Sequence, residues 1–280
     1  MMARCNTVGL LMAAATVATA AEAKPLELRG QPTGSWTIDF AEERCVALRE
    51  YGAGDSKLLL AFEPAPHGKD MTVILRLPVN APLEKAMRVD RGAGQLALNG
   101  KRISDHLVSR RPADPGLLIS STYRPAESEA PALDQLVSLE MRSASVDARL
   151  PLSGMTNLAP VLAKCNQSLL ASFGLAEADQ QRLARWPESK APIVSYIDDG
   201  DYPADAIRNE EQGRVLVRFW VSAEGLATSC AVRQSSGSAL LDRTTCEILQ
   251  RRARFDPARD KAGAAMAAPS FAEIRWVIPR

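Results

Sequence analysis

The sequence predicts an α+β fold in two blocks that a polar segment separates. In residues 24–175, short runs of branched and aromatic residues predict strands, and one helical pattern follows them. In residues 201–280, three further strand patterns accompany two helical patterns. The sequence therefore predicts a β-rich domain closed by a helix, a linker at residues 176–200, and a small domain that mixes strands and helices.

Length and composition agree with two soluble folded blocks. The chain has 280 residues, of which 46% are hydrophobic and 24% are charged. A length in this range accommodates two ordinary domains, and the hydrophobic content is that of a globular protein. The formal net charge of +1 gives no electrostatic reason to expect a nucleic acid or an acidic lipid as partner.

The first residues have the layout of a secretory signal peptide. Arg4 gives a positive start, residues 7–21 are almost wholly apolar, and small residues follow in an A-x-A arrangement that ends at Ala23. A membrane span needs about 20 apolar residues, and this run is shorter. We expect residues 1–23 to be removed and the mature protein to be periplasmic. The alternative is an uncleaved anchor in the inner membrane.

Cysteine usage fits an exported protein. Removal of the signal peptide takes away Cys5 and leaves four cysteines, namely Cys45, Cys165, Cys230 and Cys246. An even number of cysteines in the oxidising periplasm predicts disulfides, although four cysteines permit three pairings. No C-x-x-C motif occurs and neither histidine is near a cysteine in sequence, so we expect no metal site.

The first block consists mainly of strand patterns. Asn99-Gly100 lies between residues 95–98 and residues 101–103 and predicts a hairpin, because both residues tolerate the positive φ values of a type I′ turn. The other predicted strands lie at about residues 36–40, 57–62, 71–77, 116–123 and 137–150, the last with the alternative of partial helix.

A helix is expected to close the first block at Gly174. Apolar residues recur there at spacings of three and four, at Leu158, Val161, Leu162, Cys165, Leu169 and Phe173. Cys165 lies on this apolar stripe, so we expect it to be buried and to pair with Cys45, which follows the first strand. In the chain-entropy model, a disulfide that closes the loop between Cys45 and Cys165 stabilises the folded protein by roughly 4–5 kcal/mol.

The second block contains a clear succession of elements. Residues 214–222 alternate apolar and polar side chains and predict a strand, and residues 226–233 predict its return. Helices are expected at residues 204–211 and 239–253, the second with Ser238 as N-cap, and a third strand is expected at residues 271–278.

Ten residues of this block carry a family resemblance in their order and spacing. They are Tyr202, Pro203, Gly213, Gly225, Ser236, Gly237, Leu241, Asp242, Phe255 and Pro257. With them, residues 196–280 resemble the C-terminal domain of the TonB energy-transducer family. The resemblance implies a three-stranded antiparallel sheet with helices on one face. It also implies a protein partner, the periplasmic segment of an outer-membrane receptor, which adds as an extra strand beside the last strand.

The positions of the remaining two cysteines suit this arrangement. Cys230 lies on the second strand and Cys246 on the helix that is expected to pack over the sheet. We expect them to form a disulfide that stabilises the small domain by about 3 kcal/mol.

The sequence also departs from the family pattern. A TonB transducer keeps an N-terminal membrane helix and continues into a long proline-rich spacer. Here the apolar run has the layout of a cleavable signal, and the 18 prolines are scattered along the chain. Energy transduction by this chain alone is therefore an alternative that requires the N-terminal segment to be retained.

The leading hypothesis is a periplasmic interaction protein that binds an extended partner segment by strand addition. Ile274, Trp276 and Ile278 are expected on one face of the edge strand, and Glu273, Arg275 and Val277 on the other, with Phe271 at its start. A homodimer through the same sheet is the alternative use of this edge.

We expect neither catalysis nor a cofactor, because the common catalytic and nucleotide-binding motifs do not occur. His67 and His106 are expected on surface loops. A third hypothesis makes residues 24–175 an enzyme or small-ligand domain with the second block as its tether, and a deep pocket around either histidine favours that hypothesis.

Overall fold

The computed structural model describes residues 25–40, 44–54, 57–67, 70–77, 93–110, 117–125 and 128–278. The predicted signal peptide at residues 1–23 lies outside these ranges. Within them, no helix is both long enough and apolar enough to cross a membrane. Strands and helices both contribute, which confirms the mixed α+β class.

The first block is built from two sheets. In the described part of the chain its strands are β1 (Leu26–Arg29), β2 (Thr37–Phe40), β3 (Cys45–Tyr51), β4 (Leu58–Pro64), β5 (Met71–Leu77), β6 (Ala93–Leu98), β7 (Lys101–His106), β8 (Val108–Arg110), β9 (Leu117–Tyr123), β10 (Ser138–Ser143) and β11 (Val146–Pro151). One sheet has the order β2-β3-β4-β5-β9-β8 and the other has the order β1-β11-β10-β6-β7. Neighbouring strands are antiparallel except β1, which runs parallel to β11.

A single hydrophobic core includes residues from both sheets. Leu60 and Leu75 of the first sheet and Leu96 and Leu139 of the second are fully buried. Alternate residues of β5 and β9 are buried, as expected for strands with one face on the core. The region predicted to be either strand or partly helix, residues 137–150, is a strand pair.

The predicted hairpin is present. β6 and β7 pair antiparallel on either side of Asn99 and Gly100, whose φ angles are 50° and 75°. These positive values are what the Asn-Gly dipeptide predicts for a two-residue turn.

The helix that closes the first block, α1 (Met155–Ser172), agrees with the predicted one, and Gly174 follows it with φ of 95°. Val161 is an exception, because its side chain is 47% exposed rather than on the buried stripe. At 100° per residue, Val161 lies about 80° from the centre of the stripe, which places it at the margin of the apolar face.

The disulfide between Cys45 and Cys165 is present and joins β3 to α1. Its two cysteines are separated by 120 residues in sequence, and their side chains are buried. This bond ties the closing helix to the larger sheet.

The structure differs from the predicted linker at residues 176–200. This segment contains α2 (Glu177–Arg182), β12 (Leu183–Arg185) and β13 (Glu188–Ser189). The two strands pair with short strands of the second block, β17 (Ala258–Asp260) and β16 (Phe255–Asp256) respectively. Two apolar residues within the polar stretch, Leu183 and Trp186, explain the difference, because both pack against the core of the first block and against the short strands.

The second block places helices around a sheet of three antiparallel strands. Its elements are α3 (Ala204–Arg208), β14 (Gly213–Val221), β15 (Ala227–Gln234), α4 (Ala239–Arg252), β18 (Ala265–Met266) and β19 (Ala268–Trp276). The sheet order is β15-β14-β19. Helix α4 packs over β14 and β15, with the side chain of Ser238 accepting a hydrogen bond from the backbone N–H of Leu241 as an N-cap.

Three predicted boundaries in this block are wrong. The last strand begins at Ala268, three residues before the expected start at Phe271. Helix α3 ends at Arg208 rather than at residue 211, and Glu210 has a positive φ of 55°. The last strand ends at Trp276, so Val277 and Ile278 lie beyond it. Its partner β14 begins at Gly213, which is opposite Trp276, and no residue of β14 remains to pair with residues 277–278.

Candidate functional site

The candidate site is the outer edge of β19. This strand pairs with β14 over nine residues, from Ala268 opposite Val221 to Trp276 opposite Gly213. On its other side, no strand pairs with β19 in the described part of the chain. Because only half of the N–H and C=O groups of an edge strand face its neighbour, the remaining half point outward and are available to another chain.

The two faces of the edge strand differ in burial. Ile274 and Trp276 point into the core of the second block and are 5% and 4% exposed, whereas Glu273 and Arg275 are exposed. This is the alternation that the sequence predicts for these four residues. Ile278 is half-buried and Val277 is 53% exposed, but both follow the strand rather than form part of it.

Trp276 fixes the end of the edge strand. Its indole N–H donates to the side-chain oxygen of Thr245 at 2.9 Å, inside the core under α4. Its ring meets that of Tyr202 edge to face, with 5.2 Å between centroids. The hydroxyl of Tyr202 in turn donates to the carbonyl of Glu211 at 2.6 Å. Burial, with a smaller contribution from Glu211, raises the pKa of Tyr202.

Two glycines allow backbone segments to approach the sheet closely. A Cβ atom at Gly213 would lie 2.1 Å from the carbonyl oxygen of Ser236, and one at Gly225 would lie 2.1 Å from that of Phe255. Gly225 also has a positive φ of 81° in the turn between β14 and β15. Both positions therefore require glycine for steric reasons.

The turn before α4 is held by a carboxylate. The backbone N–H and the hydroxyl of Ser236 donate to Asp242 at 2.8 and 2.7 Å. Burial alone raises the pKa of Asp242, but hydrogen bonds from Ser235 and Ser236 outweigh burial and hold that pKa below its ordinary value. Gly237, within the same turn, has a positive φ of 93°.

The remaining motif residues serve packing. Leu241 of α4 is fully buried, and the ring of Phe255 contacts that of Phe219 on β14, with 5.4 Å between centroids. Pro203 is the N-cap of α3, and Pro257 lies between the short strands β16 and β17. These residues stabilise the fold of the second block and do not lie on the β19 edge.

The disulfide between Cys230 and Cys246 links β15 to α4, over a sequence separation of 16 residues. Together with the contacts of Trp276, it fixes α4 on one face of the sheet. The outer edge of β19 remains on the opposite side of the sheet from this bond.

The open face of the sheet carries a contact that the sequence patterns did not reveal. Phe173, at the end of α1, lies over the sheet centre and is only 4% exposed. Its ring contacts that of Phe271 on β19, with 5.6 Å between centroids. The Arg218 guanidinium lies 4.4 Å from the same ring, and burial lowers the pKa of Arg218. The first block therefore covers part of the sheet face that α4 leaves open.

The alternation along β14 indicates that the second face of this strand is also covered. Arg218 and Trp220 lie on the face of β14 that is opposite the buried valines, and a solvated face rarely carries a tryptophan. Sequence alone does not show which part of the chain covers that face, because Phe173 is distant in sequence from both residues.

The two histidines lie in different surroundings. His67 lines an open cleft of about 270 Å³ with Asn166 and Trp186, and its ring is 6.1 Å from that of Trp186. His106 is exposed, but it is the last residue of β7 and not part of a loop as expected, and its carbonyl accepts a hydrogen bond from the hydroxyl of Ser121. In the described ranges, no three histidine, cysteine, aspartate or glutamate residues are grouped as metal ligands.

Comparison with known proteins gives two findings. The family model described as the Gram-negative bacterial TonB protein C-terminal matches residues 200–278. A curated protein from Pseudomonas putida, Protein TonB, is 50% identical over 50 residues, which are 18% of this chain and 21% of that protein. The chain thus matches about a fifth of the length of this relative.

Proposed function

We propose that residues 200–278, which form a TonB-type C-terminal domain, bind an extended segment of another protein. This segment adds as a fourth strand beside β19. Backbone hydrogen bonds along the strand supply affinity, and the side chains that alternate along the edge select the sequence. The function is binding and not catalysis.

A single observation carries the proposal, namely that no strand in the described ranges pairs with the outer edge of β19. Its inner edge is ordered by nine paired residues, and Trp276 anchors its end through Thr245 and Tyr202. A strand held this firmly presents its outward N–H and C=O groups in fixed positions. Preorganised groups bind an extended segment with a smaller entropic cost than a mobile loop does.

The partner that suits this edge is the periplasmic segment of an outer-membrane receptor. The match of residues 200–278 to the TonB C-terminal family model and the similarity to Protein TonB support this choice. Such a segment is extended and lies in the periplasm, the compartment to which we assign this protein.

We place the mature protein in the periplasm after removal of residues 1–23, with residues 24–175 as a second domain. The two disulfides support an oxidising compartment. The intact mass of protein purified from cells tests this assignment, since a retained N-terminus would show the full-length mass and favour a membrane-anchored transducer.

The function is tested by site-specific photo-cross-linking in cells. A benzophenone amino acid replaces Glu273 on β19 or, as a matched control, Gln234 on β15. Both residues are exposed, and both lie directly opposite Leu216, one on each side of β14. We expect cross-links from position 273 that map by mass spectrometry to the N-terminal periplasmic segment of outer-membrane receptors.

The control position decides the outcome of this experiment. Position 234 samples the other edge of the same sheet and is expected to give few or no receptor cross-links. Equal cross-linking from both positions, or cross-linking from position 234 alone, would show that β19 is not the docking edge.

A further inference from the structure

The charge pattern beside the β19 edge bears on the partner's sequence. Arg275 lies directly opposite Arg214 in the ladder, and both side chains are exposed on the open face of the sheet. Like charges that are directly opposite in neighbouring strands are unfavourable. The carboxylate of Glu273 lies on the same face, two residues before Arg275 on β19.

The carboxylate of Glu273 forms an ion pair with Arg214. Glu273 contacts the guanidinium of Arg214 at 3.4 Å, diagonally across the ladder. Arg275 makes no ion pair or side-chain hydrogen bond with any residue in the described ranges. An edge arginine that makes no ion pair in the described ranges is positioned to pair with a carboxylate on the next strand.

The open face also shows which end of the edge is apolar. Phe271, four residues before Arg275 on the same face, is half-buried against the ring of Phe173. A strand added beside β19 places alternate side chains on this face, so the residues opposite Phe271 and Arg275 are four positions apart. The partner residue opposite Phe271 contacts the aromatic surface that Phe271 forms with Phe173 of the first block. The partner residue opposite Arg275 faces the guanidinium group of that arginine.

We infer that the segment bound at β19 carries a carboxylate side chain opposite Arg275 and, four residues away, an apolar side chain beside Phe271. This inference rests on the proposed function and specifies its partner as an extended acidic–apolar peptide. Arg275 then acts as a specificity-determining residue, while the backbone of β19 supplies binding that is independent of sequence.

The test is selection from a phage-displayed library of random nonapeptides against three forms of the full mature protein. These are the unchanged protein, R275E, and R243E as the matched control. Arg243 is exposed on α4, so its substitution makes the same change in net charge on another surface. We expect selected peptides to share an acidic residue four positions from an apolar one with the unchanged protein and R243E. With R275E, we expect lysine or arginine in place of the acid.

Affinities of synthetic peptides make the test quantitative. Replacing the selected acid with its uncharged amide is expected to weaken binding to the unchanged protein about three- to fivefold, which is typical of an exposed charge pair. The same replacement is expected to have no effect on binding to R275Q, a milder substitution should R275E fold poorly. With R275E it is expected to strengthen binding, because it removes a repulsion between two opposed carboxylates. Circular dichroism confirms the fold of each variant.

The possible failures are distinguishable. If peptides are selected and N-methylation of their backbone abolishes binding, but the acidic preference is absent or survives R275E, the role of Arg275 is refuted and strand addition stands. If no peptide is selected by any of the three forms, or if N-methylated peptides bind equally well, strand addition itself is refuted and the inference fails with it.

Discussion

Replacing Cys45 and Cys165 together with alanine is expected to lower the free energy of unfolding by about 5 kcal/mol. The bond joins residues 120 positions apart, and in the chain-entropy model a longer closed loop gives a larger restriction of the unfolded chain. Because the bond also holds α1 against the larger sheet, its loss is expected to loosen Phe173 at the end of that helix. Urea denaturation followed by circular dichroism measures the change.

The second disulfide provides the control. Alanine at Cys230 and Cys246 removes a bond between residues only 16 positions apart, and the expected loss is about 3 kcal/mol. A loss for the first pair that is equal to or smaller than the loss for the second would contradict the loop-length argument.

Gly225→Ala is expected to destabilise the second block by about 3–5 kcal/mol. Two effects add at this position. An alanine at φ of 81° is strained, and its Cβ would lie 2.1 Å from the carbonyl oxygen of Phe255, which is backbone and cannot rotate away. The turn between β14 and β15 and the strand that follows α4 would both have to move.

Gly263→Ala separates these two effects. Gly263 has φ of 83°, close to the angle at Gly225, but in the described part of the chain no atom beyond its two sequence neighbours lies within 4 Å of the Cβ position. Its substitution is expected to cost only about 1–2 kcal/mol, the strain of the backbone angle alone. Thermal or urea unfolding of both variants measures the difference, and equal losses at the two glycines would show that the close approach to Phe255 is not rigid.

The secondary structure of this protein was largely predictable because its signals are local. Period-two alternation identified β14, the three- and four-residue spacing identified α1, and the Asn-Gly dipeptide identified the hairpin between β6 and β7. The ten motif residues predicted a TonB-type C-terminal domain at residues 196–280, and the family model that confirms this domain matches residues 200–278. Their spacing carries this information because glycines such as Gly213 must lie where another backbone segment crosses.

The parts that were not predictable depend on contacts between distant segments. Nothing near Phe173 in the sequence indicates that its ring packs against Phe271. The polar composition of residues 176–200 likewise concealed Leu183 and Trp186, which hold this segment against both blocks. The end of β19 was misplaced by two residues because the length of a strand is set by its partner, β14, and not by its own alternation.

For the site, the sequence predicted the exposed and buried faces around Arg275 but not its charge environment. The opposition of Arg275 and Arg214 follows from the register between two strands that are far apart in the chain. Register depends on the turn chemistry and core packing of the whole block, so it becomes visible only in three dimensions.

The most direct measurement of the central claim is residue-resolved hydrogen exchange of the second block, with and without the receptor segment that cross-links at position 273. In the free protein, alternate amides of β19 have no partner strand and are expected to exchange rapidly. Binding of the segment is expected to slow these amides at least about tenfold, with no change in β15, the other edge strand. Unchanged exchange in β19 while the segment is bound, or slowing confined to β15, would contradict strand addition at this edge.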